Sequence, residues 1–195
     1  NIKIPTPSKS EQIAISNYLD KFTLKINQII EKDHQLIELL KEKRTALINH
    51  VVTKGLNPKA KMKDSGIEWI GDVPEGWEVD VLKRFCLKVT DGSHFSPDTT
   101  DTGRKYITVT DVKTDYIDFD NAKNISEEDF NSLKRNGCQP KKGDVLLSKD
   151  GTIGRSVVVD NNVFVALSSL GIITPNKKMD SFYLRYYLMS DINLE

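Results

Sequence analysis

Residues 8–54 decide how this chain folds: they read SKSEQIAISNYLDKFTLKINQIIEKDHQLIELLKEKRTALINHVVTK. Nine positions in this stretch follow one another in steps of three and four residues, and seven of them are apolar. They are Leu19, Phe22, Ile26, Ile29, Asp33, Leu36, Leu40, Lys43 and Leu47. A mean spacing of about 3.5 residues is typical of the seam along which coiled-coil helices pack. The stretch therefore predicts one long helix with a coiled-coil seam.

Both ends of the predicted helix carry termination signals. Ser8 and Glu11 have the spacing of a capping box, and Lys54, Gly55 and Pro58 have the order expected at a helix C-terminus. At a rise of 1.5 Å per residue, about 45 residues span roughly 65–70 Å. A helix of this length cannot bury its seam within its own 195-residue chain. We therefore expect a spacer or assembly element that needs a partner helix.

Composition limits the class of protein. With 38% hydrophobic and 29% charged residues, the chain is expected to be soluble and globular. No apolar run approaches about 18 residues, so no membrane span is predicted. The first residues lack the pattern of a signal peptide. Cys86 and Cys138 are isolated in sequence, which favours free thiols and a cytoplasmic location.

Charge is unevenly distributed along the chain. Residues 1–63 contain 12 Lys or Arg against 6 Asp or Glu, whereas residues 64–195 contain 16 against 22. A nucleic-acid-binding domain is usually basic. Any contact of the second part with DNA must therefore come from local basic loops.

The sequence divides into four segments, and the fold class we predict is α+β. Residues 1–7 resemble the last strand of a preceding domain, residues 8–54 form the helix, and residues 55–66 are a polar linker. Residues 67–195 form a mixed α/β domain, onto which Trp69 and Trp77 are expected to dock the linker.

Within that domain, short β-branched runs alternate with turn signals. Two predicted helices interrupt these runs. One is capped by Ser126, with Asp129 at its third position, and the other starts near Asp180. The predicted strands are Tyr106–Thr110, Asp144–Ser148, Arg155–Val159, Val163–Leu167 and Gly171–Thr174.

Two loops have residues suited to binding DNA. In the polar turn 91–97, Gly92 permits close backbone approach, and Ser93 and His94 can donate to phosphates or base edges. An ordinary surface loop explains the same residues equally well.

The second loop, residues 149–155, reads KDGTIGR. Gly151 and Gly154 would let backbone amides approach a sugar–phosphate chain, as in the GxxG loop of KH domains, and Lys149 and Arg155 supply flanking cations. A hairpin turn also uses glycines in this way.

A nuclease is the alternative enzymatic hypothesis. Asp98 after Pro97, followed by Asp111 and Lys113, matches the PD…(D/E)xK pattern in which two carboxylates and a lysine hold Mg²⁺ and position a water. Phosphate-binding loops and dinucleotide-binding turns are absent from the sequence, and the histidines lack metal-ligand spacing. No cofactor is predicted.

The sequence resembles the specificity subunit of type I restriction–modification enzymes over essentially its whole length. The matching segments in the helix and linker are IPTP (4–7), EQIAI (11–15), YLD (18–20), LIELLKEKRTALI (36–48), VTKGL (52–56), DSGIEWIG (64–71) and PEGW (74–77). In the second domain they are DGSHFSP (91–97), GDVL (143–146) and GTIG (151–154).

This resemblance implies an order of recognition domain, long helix, recognition domain, long helix, in which each recognition domain reads half of a split DNA site. The two helices would pair antiparallel and set the distance between half-sites, about 20 base pairs for 65–70 Å at roughly 3.4 Å per base pair. It further implies a subunit without catalysis that binds double-stranded DNA, methyltransferase subunits and, through them, restriction subunits. The DNA contacts then expected are Gly92, Ser93, His94, Lys105, Lys113, Lys149, Gly151, Thr152, Gly154 and Arg155.

The limits of the chain predict about half of such a subunit, in permuted order. It would be an excised segment, a fragment, or one half of a subunit assembled from two chains. The partner of its helix would be the rest of the subunit or a second copy of the chain. A coiled-coil assembly module that contacts only protein is the third hypothesis, since residues 64–195 are acidic overall.

Overall fold

The computed structural model describes residues 1–150, 154–160 and 162–190. The chain divides into two units, Asn1–Ala46 and Leu47–Glu195. Within the described ranges, none of the helices combines the length and apolar character required to cross a bilayer.

The predicted long helix is present as α1, Lys9–Lys54. At its start the hydroxyl of Ser8 accepts a hydrogen bond from the amide of Glu11 at 3.4 Å, which is one half of the capping box. At its end Gly55 has φ +75°, a left-handed conformation that glycine adopts without a Cβ penalty. Residues 1–7, interpreted as a strand, have no regular secondary structure.

The predicted seam of α1 lies on the surface. Its seven apolar residues are exposed, and Asp33 and Lys43 are exposed as well. Both the apolar and the charged positions of the seam are exposed. Exposure therefore does not show whether the seam lies on this face of α1 or on a neighbouring face. The seam therefore stays a prediction.

The second unit contains short strands and two further helices. The helices are α2 (Glu127–Arg135) and α3 (Ser181–Leu188), preceded in the chain by a 3₁₀ turn at Leu82–Phe85. The described strands are β1 (Met62–Asp64), β2 (Asp72–Pro74), β3 (Cys86–Asp91), β4 (Thr99–Thr100), β5 (Arg104–Ile107), β6 (Lys123–Ile125), β7 (Val145–Ser148), β8 (Ser156–Val158), β9 (Phe164–Ala166) and β10 (Leu170–Pro175).

These strands form a hairpin and two four-stranded sheets. The hairpin pairs β1 with β2, one sheet has the order β3-β10-β7-β8, and the other has the order β4-β6-β5-β9. Pairing is antiparallel except between β5 and β9. Strand β3 is at the edge of its sheet, and its side chains Leu87 and Val89 are exposed.

Alternation along the strands sorts side chains into layers, since successive residues point to opposite faces of a sheet. In β7, Leu146 joins a core shared by both sheets, whereas Val145 packs with Leu184 and Leu188 of α3. In β5, Ile107 joins the shared core, whereas Tyr106 packs with residues of α2. The second unit is thus two sheets face to face, with a helix on each outer face.

The last turns of α1 belong to this second unit. Val52 and Thr53 are buried, and the hydroxyl of Tyr183 donates to the carbonyl of Val52 at 3.2 Å. The ammonium of Lys54 donates to the carbonyls of Ile70 and Asp72, next to and within β2.

The structure refines the predicted domain limits. The segment 55–66, interpreted as a linker, contains strand β1, which pairs with β2. Trp77 is half-buried and lies beside Gly55, as expected for a docking residue, whereas Trp69 is exposed.

The strongest sequence patterns correspond to observed elements. Four of the five predicted strands match β7, β8, β9 and β10, while Tyr106–Thr110 is displaced because β5 begins at Arg104 and ends at Ile107. Ser126 caps α2 by accepting from the amide of Asp129 at 3.0 Å, and Asp180 caps α3 in the same way through Tyr183. Strands β1, β2, β3, β4 and β6 were not among the predicted strands.

Candidate nucleic-acid interface

Four loops meet at one end of the two sheets. Each follows the carboxyl end of a strand: residues 92–98 follow β3, residues 108–118 follow β5, residues 149–155 follow β7 and are described at 149–150 and 154–155, and residues 167–169 follow β9. We call them the carboxyl-end loops. Strands β5 and β9 are parallel, and β3 and β7 both run antiparallel to β10, so these ends lie on the same side within each sheet.

Backbone hydrogen bonds join the carboxyl-end loops to one another. The turn after β9 is the centre of this network. Its Leu167 amide donates to the carbonyl of Ile107 at 2.9 Å, and its Ser168 amide donates to the carbonyl of Ser93 at 2.8 Å. The amide of Lys149 donates to the carbonyl of Ser169 at 2.9 Å. Both predicted DNA-binding loops are therefore brought together.

Gly92 serves a different purpose from the one predicted. A Cβ at this position would lie 2.2 Å from the carbonyl oxygen of Leu167 and 2.4 Å from that of Ala166. The close approach that glycine permits is therefore to the chain's own backbone, and Gly92 is buried. Residue 92 is a glycine because of this internal contact, and not because a DNA backbone approaches it.

Ser93 is also engaged internally. Its side chain is buried, and its hydroxyl donates to the carbonyl of Phe95 at 2.6 Å and accepts from the amide of Phe95 at 3.0 Å. Both functions of the hydroxyl are thereby used. The structure does not support the prediction that Ser93 itself donates to DNA.

His94 and Lys149 lie on either side of Asp91. The ammonium of Lys149 is 2.6 Å from one carboxylate oxygen of Asp91, and Nε2 of His94 is 3.7 Å from the other. All three side chains are substantially exposed. This part of the interface is thus a small mixed-charge group, and Asp91 offsets part of the positive charge that Lys149 would offer a phosphate.

The predicted GxxG loop is described only at its ends. Gly151 and Thr152 lie outside the described residues. Gly154 has φ +85°, which favours glycine there irrespective of any ligand. The guanidinium of Arg155 donates to the carbonyl of Val112 at 3.3 Å, so this loop also contacts the loop after β5.

The remaining predicted cations have internal partners. Lys113 donates to the carbonyl of Thr110 at 2.8 Å and lies 3.9 Å from the carboxylate of Asp118. Hydrogen bonds from Asn121 lower the pKa of Asp118, with a smaller contribution from Lys113. Lys105 is directed elsewhere: its ammonium donates to the carbonyl of Ala122, in the segment before β6.

A buried arginine braces the loop after β5. Arg185 of α3 donates to the carbonyl of Thr114 at 2.8 Å and pairs with the carboxylate of Asp115 at 2.5 Å. It also donates to the carbonyl of Ser156 in β8 at 3.0 Å. The loop is thereby fixed to the helix and the sheet beneath it.

The nuclease pattern does not form a metal site. Asp111 is buried, and one of its carboxylate oxygens accepts from both the amide and the hydroxyl of Thr108 at 2.8 Å, which closes the turn after β5. Lys113 is bound to that same turn, and Asp98 is exposed on another loop. Within the described residues, no cluster of His, Cys, Asp and Glu side chains suits a metal ion. These contacts explain Asp111 and Lys113 as structural residues.

A cleft of about 730 Å³ adjoins the loop after β3. It lies between residues 89–95 and the end of α2, where Ser132, Asn136 and Cys138 line it. The side chain of Lys88 reaches the carbonyl of Gly137 at 3.4 Å across this region. Burial raises the pKa of the Cys138 thiol.

Sequence reasoning missed the contribution of α2 and of Phe95 to this surface. The basic pair Lys134 and Arg135, followed by Asn136, ends α2 and is exposed. Two adjacent cations at a helix C-terminus were a visible signal, although they also suit the helix dipole. Phe95 gave no separate signal, because nothing in its spacing showed that the ring would be exposed.

Comparison with known proteins points to one family. No protein-family model matches the chain. The specificity subunit of the type I restriction enzyme MjaVIII from Methanocaldococcus jannaschii is 27% identical over 98% of this chain and 44% of its own length. The specificity subunit of the EcoBI enzyme from Escherichia coli is 25% identical over 97% of this chain and 41% of its own length. The chain is thus similar to type I specificity subunits over nearly its whole length.

Solved structures agree with this relationship at the level of fold. The HsdS subunit from Thermoanaerobacter tengcongensis superposes with a TM-score of 0.50 at 18% identity, over 97% of this chain and 43% of that one. A chain from a structure of the type I R-M system, described for its complex assembly and conformational transition, gives a TM-score of 0.54 at 18% identity, over 95% of this chain and 42% of that one.

The chain spans less than half the length of these specificity subunits. The resemblance seen in the sequence is confirmed, and so is the α+β class with a long helix before a sheet-containing region.

Proposed function

We propose that this chain is a DNA-specificity component of a type I restriction–modification system. Its second unit reads one half of a bipartite site, and α1 sets the spacing between half-sites and docks methyltransferase subunits. The observation that supports this most strongly is similarity to specificity subunits along at least 97% of the chain, covering both helix and recognition domain. The component has no catalytic activity of its own and works in the cytoplasm.

The carboxyl-end loops are the proposed DNA-binding surface. They collect His94, Lys149 and Arg155 from loops that are far apart in the sequence, and their backbone network holds these residues in place. Gly151 and Thr152 remain proposed contacts by sequence alone. Gly92 and Ser93 support the surface from beneath rather than touching DNA.

The exposed apolar residues of α1 suit a helical partner. Leu19, Ile26 and Leu40 are each more than half exposed, and an apolar stripe on a helix is stabilised when a second helix covers it. We assign this partner to a second copy of the chain or to the rest of a longer subunit. Restriction subunits join through the methyltransferase subunits.

The decisive experiment is co-purification with a methyltransferase subunit, followed by mapping of the methylated DNA motif. Recovery of a short, defined half-site supports the proposal. A complex that forms but methylates no defined sequence contradicts it and favours a module that contacts only protein.

Phosphate contacts by the loop after β7 are tested by salt dependence. Replacing Lys149 and Arg155 together by Ala should weaken DNA binding and reduce the slope of log K against log salt by up to about 2, since each lost phosphate contact contributes about 0.9. Binding is measured by fluorescence anisotropy of the complex between about 50 and 200 mM salt.

The matched control replaces Arg84 and Lys177 by Ala. Both are exposed, and they lie near the other end of the β3–β10 pair, where Pro175 is opposite Cys86. This variant should retain the wild-type slope. An unchanged slope for the Lys149 and Arg155 variant would remove that loop from the interface.

A further inference from the structure

Phe95 presents an apolar ring on the loop after β3. The relative exposure of Phe95 is 61%, and the preceding residue, His94, is exposed as well. A single exposed hydrophobic residue is common on protein surfaces and needs no special explanation. What distinguishes Phe95 is the way its backbone is held.

A buried serine fixes the backbone on both sides of Phe95. Ser93 is 4% exposed, and its hydroxyl is bonded to both the amide and the carbonyl of Phe95, at 3.0 and 2.6 Å. The amide of Ser93 donates to the carbonyl of Ala166, the last residue of β9, at 2.7 Å, and the carbonyl of Ser93 accepts from the amide of Ser168 in the turn after β9 at 2.8 Å. The backbone that carries the ring is therefore connected to β9 and the turn after it by a short series of hydrogen bonds through Ser93.

Both ends of the same loop are also fixed. At its start Gly92 is in such close contact with the turn after β9 that no Cβ could be placed there, and at its end Pro97 is buried. An ordinary loop tip can relax to cover an apolar side chain. This loop holds Phe95 out towards solvent instead.

The surroundings of the ring are polar and include cations. Phe95 lines the same cleft as Asp91, His94, Ser132 and Asn136, and Lys149 is paired with Asp91. Phenylalanine offers neither a donor nor an acceptor, so it can contribute only through contact with apolar or π surfaces. Among cationic loops proposed to bind phosphates, the available π surfaces are the faces of the bases.

We propose that Phe95 is a wedge that inserts at a base-pair step of the half-site, and that Ser93 is the positioning residue that holds it. This inference rests on the proposed function. An inserted side chain must resist the tendency of the bases to restack, so its backbone has to be held rigidly. A side chain that only contacts the DNA surface does not require a rigid backbone.

The test uses the complex with the methyltransferase subunit and a duplex that carries the mapped motif. 2-Aminopurine, whose fluorescence rises when a base is unstacked, is placed at successive positions of the half-site. We expect a rise at one step with the wild type and its loss with Phe95→Ala. The same variant should bind about tenfold more weakly, with an unchanged salt slope because no charge is removed.

Phe182→Ala is the matched control. Phe182 is an aromatic residue of similar exposure, 59%, and lies on α3 rather than on a carboxyl-end loop. This variant should retain both affinity and the fluorescence signal. If Phe95→Ala behaves like Phe182→Ala, the inference is wrong, while a defined methylated motif in the wild type would still support the proposed function.

A double-variant cycle tests Ser93. If Ser93 acts through Phe95, Ser93→Ala should reduce affinity in the wild-type background and have no further effect in the Phe95→Ala background. Equal losses in both backgrounds would assign Ser93 a merely structural role and overturn its positioning role.

One further outcome separates a wedge from a surface contact. Replacing each thymine of the half-site by deoxyuracil removes only its methyl group. If a single such replacement reproduces the effect of Phe95→Ala, and no base is unstacked in the wild type, then Phe95 contacts a methyl group and the wedge is excluded.

Discussion

At the scale of single residues, Gly92 shows how a correct position can carry the wrong explanation. A glycine in a polar loop suggests room for a ligand, but here the space is filled by the backbone after β9. The sequence could not reveal this, because the course of residues 166–167 past residue 92 depends on the tertiary structure.

This explanation of Gly92 makes a prediction about stability. Gly92→Ala places a Cβ 2.2 Å from a backbone oxygen, which cannot move as the end of a flexible side chain can. We expect a loss of roughly 3 kcal/mol in the free energy of unfolding, at the upper part of the usual range for overpacking. Urea unfolding followed by tryptophan fluorescence measures it.

Gly76→Ala provides the control, since no atom lies within 4 Å of a Cβ placed there. Its free energy of unfolding should be close to that of the wild type. Equal stability of the Gly92 and Gly76 variants would show that the backbone contact is not as close as described.

At the scale of elements, helices were predicted correctly where neighbouring residues in the sequence themselves stabilise the start, the end or one face of the helix. The stripe and end signals located α1, and the hydroxyl of Ser126 and carboxylate of Asp180 located the starts of α2 and α3. Strands β1, β2, β3, β4 and β6 lacked such a signal. β4 has two residues, β1, β2 and β6 have three each, and β3 exposes Leu87 and Val89, so none shows a long alternation of apolar and polar residues.

The seam of α1 leads to a prediction for helix pairing. Asp33 and Lys43 interrupt an otherwise apolar seam, and polar residues at such positions fix register at a cost in stability. Replacing both by Leu should therefore strengthen pairing while loosening its orientation. Sedimentation equilibrium should show increased self-association, and circular dichroism should show a higher melting temperature for the helix.

The matched control replaces Glu31 and Lys41 by Leu, which removes one acidic and one basic residue away from the seam. This variant adds the same apolar content but should pair no more strongly than the wild type. Similar strengthening in both variants would mean that the seam has been placed on the wrong face of α1.

At the scale of the whole molecule, the unit boundary falls inside a helix. The second unit begins at Leu47, seven residues before the predicted end of the helical segment, and Val52 and Thr53 are buried within it. Helix periodicity could not locate this boundary, since the periodicity continues through it. The gathering of four loops at one end of the sheets was equally hidden, because it depends on strand order.

Two fragments test the boundary. A fragment of residues 47–195 should unfold with the same urea midpoint as the full chain, followed through Trp69 and Trp77, which both lie in this unit. A fragment of residues 56–195 lacks Val52 and Thr53 and loses the hydrogen bond from Tyr183 to Val52. We expect it to be about 2–4 kcal/mol less stable, as for the loss of buried side chains. Equal midpoints for the two fragments would place the boundary at the end of α1.

The edge strand β3 has a consequence for solubility. An edge strand offers unpaired backbone groups to any other extended chain, and two exposed apolar side chains, Leu87 and Val89, make that contact favourable. Lys88 stands between them, and its ammonium would lose water if another strand joined the sheet there. A lysine on an edge strand disfavours pairing with another strand, so we expect Lys88 to limit edge-to-edge association between copies of the chain.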